Sequence, residues 1–122
     1  LSSDASLLAE VISKLNMPNC GLLPDFGNFC IAKEDDICVN EYDKYLGVTE
    51  MMPYAKAVSA KSYDFDENGN ETKIDYIKIM QTVKDAGYTG FIGIEYEGSR
   101  LGEVEGIMAT KNLLLKTAEK LN

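Results

Sequence analysis

Three apolar runs in this chain end on polar side chains. Leu22-Leu23-Pro24 runs into Asp25, with Asn28 three residues on; Ala57-Val58 leads to Ser59, Lys61 and Ser62; Phe91 to Ile94 leads to Glu95 and Glu97. A lone aspartate after a strand also serves as a turn or helix cap. Polar groups at the ends of three successive runs favour a site instead. Carboxylates delivered to one place repel unless a proton or a cation sits between them. An oxygen-rich setting of that kind suits a hard divalent ion such as Mg²⁺ or Mn²⁺. Asp25 and Glu95 are therefore read as candidate metal ligands.

The elements that must position these residues alternate. "DASLLAEVISKLN", residues 4–16, places Leu7, Leu8, Val11, Ile12 and Leu15 on one helical stripe, with Ser3 or Asp4 as N-cap. A strand is expected over Cys20–Leu23. Residues 30–40 read as a loop with the charged cluster "KEDD". A helix or two short ones is expected from about Glu41 to Tyr54, stopped near Pro53. "KAVSAKSYDF" is the second strand, followed by the turn-rich "DENGN". Thr72 is expected to cap a helix over about Lys73–Ala86, with the stripe Tyr76, Ile79, Met80 and Val83 and a stop at Gly87. "TGFIGIEYEG" is the third strand. The last helix, about Leu101–Leu121, is expected to bury Val104, Ile107, Met108, Leu114, Leu115 and Ala118. Helices alternating with near-continuous apolar strands predict an α/β fold with a parallel sheet. The C-terminal edge of such a sheet is where ligands bind.

The bulk composition narrows the function. Residues 1–122 suit a single domain, and 45% hydrophobic residues suffice for a core. No apolar run approaches the ~20 residues a membrane helix needs, and no signal-peptide pattern opens the chain. A net charge of −8 leaves no basic stripe for a nucleic-acid backbone. Histidine is absent, which removes Ser-His-Asp and Cys-His nucleophiles and most zinc chemistry from this segment. Cys20, Cys30 and Cys38 form an odd set without CxxC spacing, read as idle thiols in a reducing, cytoplasmic compartment.

Residues 64–75, "DFDENGNETKID", approach the calcium loop of an EF-hand. Asp64, Asp66 and Asn68 stand at its first, third and fifth positions, Gly69 at the turn and Asp75 at the twelfth. Against Ca²⁺ stand Glu71 at an apolar position, the short arm of Asp75, and an entering segment that reads as strand. A polar turn of Asp, Asn and Gly is the other reading.

"LLPDFGNF", "AVSAKSYDFDENGNETKIDY" and "DAGYTGFIGIEYEG" together resemble the sugar phosphate isomerase/epimerase superfamily of xylose-isomerase-like barrels. The resemblance covers nearly the whole chain. It implies the C-terminal portion of a (β/α)₈ TIM barrel, about three parallel strands with flanking helices. In that family Glu, Asp, His and Glu from four strands hold a divalent metal at the barrel mouth. Asp25 matches the family's Asp and Glu95 its last Glu; Ser59 falls at the position of the metal-binding His. Asn28 falls where epimerase relatives carry a substrate-contacting His, and Lys61 matches a lysine able to orient a substrate oxygen or phosphate. Arg100 is a further candidate for a phosphate, beside the alternative that Glu97 and Arg100 belong to a solvated loop. The first Glu of the set is not in this chain.

The implied activity is metal-assisted proton transfer next to the carbonyl of a sugar or sugar phosphate, with Glu95 as one of an acid–base pair. Three strands cannot close an eight-stranded barrel, so the expected partner is the rest of the barrel or a second copy. Alone, the segment is expected to be inactive. The alternatives are a metal-dependent endonuclease-like hydrolase on the same barrel, disfavoured by the lack of histidine, and a non-catalytic sugar- or calcium-binding module.

Overall fold

The computed structural model describes residues 2–122 and orders them as α1 (Ala5–Leu15), β1 (Cys30–Glu34), β2 (Ile37–Glu41), α2 (Lys44–Met51), a 3₁₀ turn (Met52–Tyr54), β3 (Val58–Ser62), α3 (Tyr76–Asp85), β4 (Ile92–Tyr96) and α4 (Glu103–Leu121). The β3 and β4 strands pair in parallel, Val58 opposite Ile92 through Ser62 opposite Tyr96. The expected strand before Asp25 is present as an extended segment. It meets the β3 side of the sheet at two parallel bridges, Leu22 with Ala55 and Asp25 with Ser59. Pro24 lacks an N–H, so the ladder there is broken rather than continuous; Ser59 N–H still donates to the Pro24 carbonyl at 2.9 Å. These parallel strands with flanking helices form part of a barrel, and the barrel is not closed.

Local sequence sets the helix boundaries. Asp4 caps α1 by accepting from Leu7 N–H at 3.1 Å, and Asp43 caps α2 by accepting from Tyr45 and Leu46 N–H. The α3 helix begins later than expected. Glu71 takes the N–H groups of Lys73 and Ile74, holding that stretch in a turn, and Asp75 caps the helix through Lys78 N–H at 3.0 Å. Gly87, at φ 70°, ends α3 as expected. The core joins Phe26, Phe29, Val48, Met51 and Met52 to Val58 and Ala60 of β3 and to Tyr76, Ile79 and Val83 of α3. No helix among the described residues is long and apolar enough to cross a membrane.

Three expectations are corrected. Residues 30–40 are not a loop but an antiparallel hairpin, β1–β2, turned by Asp35 and Asp36 in the left-handed region. Cys30 and Cys38 are not idle thiols; a disulfide joins them across that hairpin, and Cys20 alone is free. The face that α4 buries is Gly106, Thr110, Leu113 and Thr117, while Val104, Ile107, Met108 and Leu115 stand exposed. Small residues win the inner face because the Tyr96 ring lies against the helix. A Cβ added at Gly106 would come within 2.2 Å of that ring. The Thr110 hydroxyl completes the contact by hydrogen-bonding Ser62 Oγ of β3 at 2.6 Å.

This packing predicts the effect of Gly106→Ala. Overpacking against Tyr96 costs about 1–3 kcal/mol, and the helix propensity of Ala returns about 1 kcal/mol. The expected result in urea unfolding is a net loss of about 1 kcal/mol, whereas a gain would show that α4 does not sit this close to β4.

Candidate active site at the strand ends

Successive side chains of a strand point to opposite faces of the sheet. Val58, Ala60 and Ser62 turn toward the helices, and Ser62 is thereby taken from the site to bond Thr110. Ser59 and Lys61 turn the other way, as does Glu95, the register partner of Lys61 on β4. Asp25 is bridged to Ser59 on the opposite side. Adjacent parallel strands in register thus place these side chains on one face at two successive levels, Asp25 beside Ser59 and, two residues further along, Lys61 beside Glu95.

The contacts are close. Lys61 is buried, with its side chain 1% exposed, and its ammonium donates to Glu95 Oε1 at 2.6 Å and pairs with Glu97 Oε1 at 3.0 Å. Ser59 Oγ donates to Glu95 Oε2 at 3.1 Å. Asp25 Oδ1 accepts from the N–H groups of Gly27 at 2.8 Å and Asn28 at 3.0 Å, an Asx-type turn that fixes the carboxylate. Its Oδ2 is buried without a hydrogen-bond partner. Tyr76 donates its hydroxyl to the Lys61 carbonyl at 2.8 Å, pinning β3 from the core side. Gly27 is required by the same crowding, because a Cβ there would meet Tyr63 Oη at 2.5 Å and Lys61 Cγ at 2.7 Å.

The hydrogen bond from the Lys61 ammonium holds the Glu95 carboxyl below its ordinary value, with the Ser59 hydroxyl adding to the effect against partial burial. Burial pulls the Lys61 ammonium down; its hydrogen bonds to Glu95 and Glu97 and the field of Asp25 more than offset this, leaving it raised. Burial raises the Tyr63 phenol on the same face.

Asn28, Asp25, Glu95 and Glu97 line one open cavity of about 1050 Å³. Asn28 is therefore placed where a ligand could meet its amide. Arg100 is elsewhere, its guanidinium donating to Asp64 Oδ1 at 2.7 Å and to the Phe65 carbonyl. Glu97 lies in the loop just past β4, half-exposed, and joins the cluster through Lys61; its i+2 spacing from Glu95 is the sequence signal for this. The oxygens of the calcium-like loop have other partners. Asp64 meets Arg100 and Phe65 N–H, Asp66 accepts from Asn68 and Asn70 N–H, and Asp75 caps α3. Among the described residues, no three His, Cys, Asp or Glu side chains gather closely enough to hold a metal ion. Asp25, Glu95 and Ser59, the residues expected to hold a metal, do share one face, and Asp25 Oδ2 is a buried oxygen there without a partner.

A parallel β/α array that presents acids at its C-terminal strand ends defines a piece of a TIM-type barrel. Residues 2–118 match the family described as "Xylose isomerase-like TIM barrel", and the chain belongs to that family. Among curated relatives, a C-glycoside deglycosidase alpha subunit of Arthrobacter globiformis is 40% identical over 65 residues, 51% of this chain and 18% of the relative. A 3'-dehydrocarminate deglycosidase alpha subunit of a Microbacterium species is 42% identical over 48 residues, 39% of this chain and 14% of the relative. The matches thus span less than a fifth of either relative's length.

The depressed Glu95 carboxyl sets a pH dependence. A folded value below the unfolded one contributes stability that is present above the ordinary carboxyl range and is lost as pH falls through the depressed value. Melting curves between pH 7 and pH 3 should therefore show Glu95→Gln losing less stability on acidification than the parent chain. Equal losses would remove the ion pair with Lys61 from the account.

Proposed function

We propose that this chain supplies one side of a carbohydrate-active site whose reaction begins with removal of a proton next to a sugar carbonyl. The single observation that supports this reading is the ionised Glu95 carboxylate, held by Lys61 and Ser59 beside the unpartnered oxygen of Asp25. Asp25 and Glu95 would hold a divalent ion, Mn²⁺ or Mg²⁺, with Ser59 as a neighbouring hydroxyl. Such an ion, when bound, polarises the carbonyl and stabilises negative charge that develops on its oxygen.

Glu95 accepts the proton from the carbon beside the carbonyl; the C–H electron pair forms the new carbon–carbon double bond and the carbonyl π pair moves onto oxygen, giving an enediolate. Asn28 has an amide that both donates to and accepts from sugar hydroxyls. Lys61 acts on the substrate only through Glu95 and Glu97, because its ammonium is engaged by both. Return of a proton to the other face or the neighbouring carbon makes an epimerase or isomerase. Expulsion of a substituent one bond further on makes a deglycosidase. The relatives' names favour the second outcome, and the "3'-dehydro" in one of them denotes a carbonyl-bearing sugar. Both relatives are named alpha subunits, so we include a partner chain in the proposal, together with the strands that complete the barrel.

Wash-in of solvent deuterium tests the step both outcomes share. With the barrel complete, keto sugars in D₂O should gain deuterium next to the carbonyl, and Glu95→Gln should lower the rate by about 10²-fold or more. A rate unaffected by that substitution would remove Glu95 as the base. Isothermal calorimetry with Mn²⁺ gives a second prediction. Asp25→Asn, which keeps an oxygen for the Gly27 and Asn28 N–H groups, should weaken binding by about tenfold or more; unchanged affinity would end the metal assignment.

A further inference from the structure

The hairpin β1–β2 rises directly from the turn that holds Asp25, and the base of this excursion is closed by Tyr42 N–H donating to the Phe29 carbonyl at 2.8 Å. Every residue from Ile31 to Glu41 is exposed. The hairpin therefore buries no core of its own, and a lone two-stranded hairpin is marginally stable in water. Its ladder is irregular, with register shifts between Cys30 and Ala32 and between Ala32 and Lys33. Its two-residue turn places Asp35 and Asp36 at φ 47° and 65°, the positive-φ geometry that suits the twist of a hairpin. What ties the strands together is the Cys30–Cys38 disulfide, which closes a loop of sequence separation 8 and removes open conformations from the chain.

Where this hairpin stands gives the bond a consequence. Cys30, Lys33, Cys38 and Glu41 line the same cavity as Asp25, Glu95 and Glu97. We propose that the hairpin is a redox-set wall of the acid-lined cavity, held in place by the Cys30–Cys38 bond and released when a dithiol reductant cleaves it. The thiolate of the reductant attacks one sulfur to form a mixed disulfide. Its second thiol then displaces that bond, so two electrons and two protons pass to Cys30 and Cys38 and the reductant leaves as its own disulfide. Cys38 is exposed and open to such attack. With the bond broken, the strands lose the constraint that offset their lack of burial, and the carboxylates behind them become more accessible. The proposal rests on the proposed function only in regarding this cavity as the site; the order of the hairpin is independent of any activity.

The test compares the full chain as oxidised, after treatment with dithiothreitol, and as the Cys30→Ser/Cys38→Ser variant. Hydrogen–deuterium exchange should show residues 31–41 exchanging about tenfold faster or more in the last two states, with β3, α3 and α4 unchanged. Carbodiimide labelling of Glu95 and Glu97, whose side chains are 46% and 52% exposed with the bond intact, should rise by up to about twofold in the same two states, read by mass spectrometry. Three reactive thiols in the protein purified without reductant would overturn the proposal, as would a hairpin indifferent to reduction. Loss of protection throughout α3 and α4 would make the bond a global staple, and a loosened hairpin with unchanged labelling would show that it does not wall the cavity; either result overturns the proposal. Failure of deuterium wash-in with these exchange results intact would instead remove the reading of the cavity as a proton-transfer site.

Discussion

One buried ammonium organises the acid end of this sheet. Lys61 lies almost wholly out of water, yet it stays charged because Glu95 and Glu97 both reach it and Asp25 lies near. A buried lysine without such partners would give up its proton. Three carboxylates without such a lysine would drive one another apart or take up protons. Each side of the cluster makes the other tolerable, and this mutual dependence fixes the direction in which the Glu95 oxygens face.

The backbone makes the cluster possible before any side chain acts. Parallel pairing in register sets Lys61 beside Glu95 and Ser59 beside Asp25. Alternation along β3 sends the neighbours of these residues to the helix side. There Tyr76 holds the Lys61 carbonyl and Thr110 holds Ser62, so the strand is gripped from behind while its front face is left to chemistry. Gly27 serves the same end on the front, leaving room for Lys61 and Tyr63 where any larger residue would collide with them.

Much of this was legible in the sequence. Apolar runs ending in Asp25, Ser59, Lys61 and Glu95 carried the sheet and the convergence of the site, because parallel strands deliver their last residues to one rim. Ser62 is the exception at these strand ends, because parity along β3 turns it to the helices, while the long arm of Arg100 meets Asp64. The hairpin was hidden because its side chains bury nothing and leave no periodic signal. In α4 the strongest apolar stripe was not the packed one; a ring at Tyr96 selected the face with Gly106 and Thr110 instead. The bonding role of Glu71 leaves no sequence signal either, since a carboxylate that holds the N–H groups of Tyr63, Asp64, Lys73 and Ile74 looks like any loop acid until the loop is folded.

The central claim is that Lys61 and Glu95 are a coupled pair at the mouth of the sheet. A double-mutant cycle with Lys61→Met and Glu95→Gln, read by urea unfolding at neutral pH, measures that coupling directly. The account predicts a favourable interaction of about 1 kcal/mol or more between the two positions. Additive effects, with no interaction energy beyond error, would contradict it.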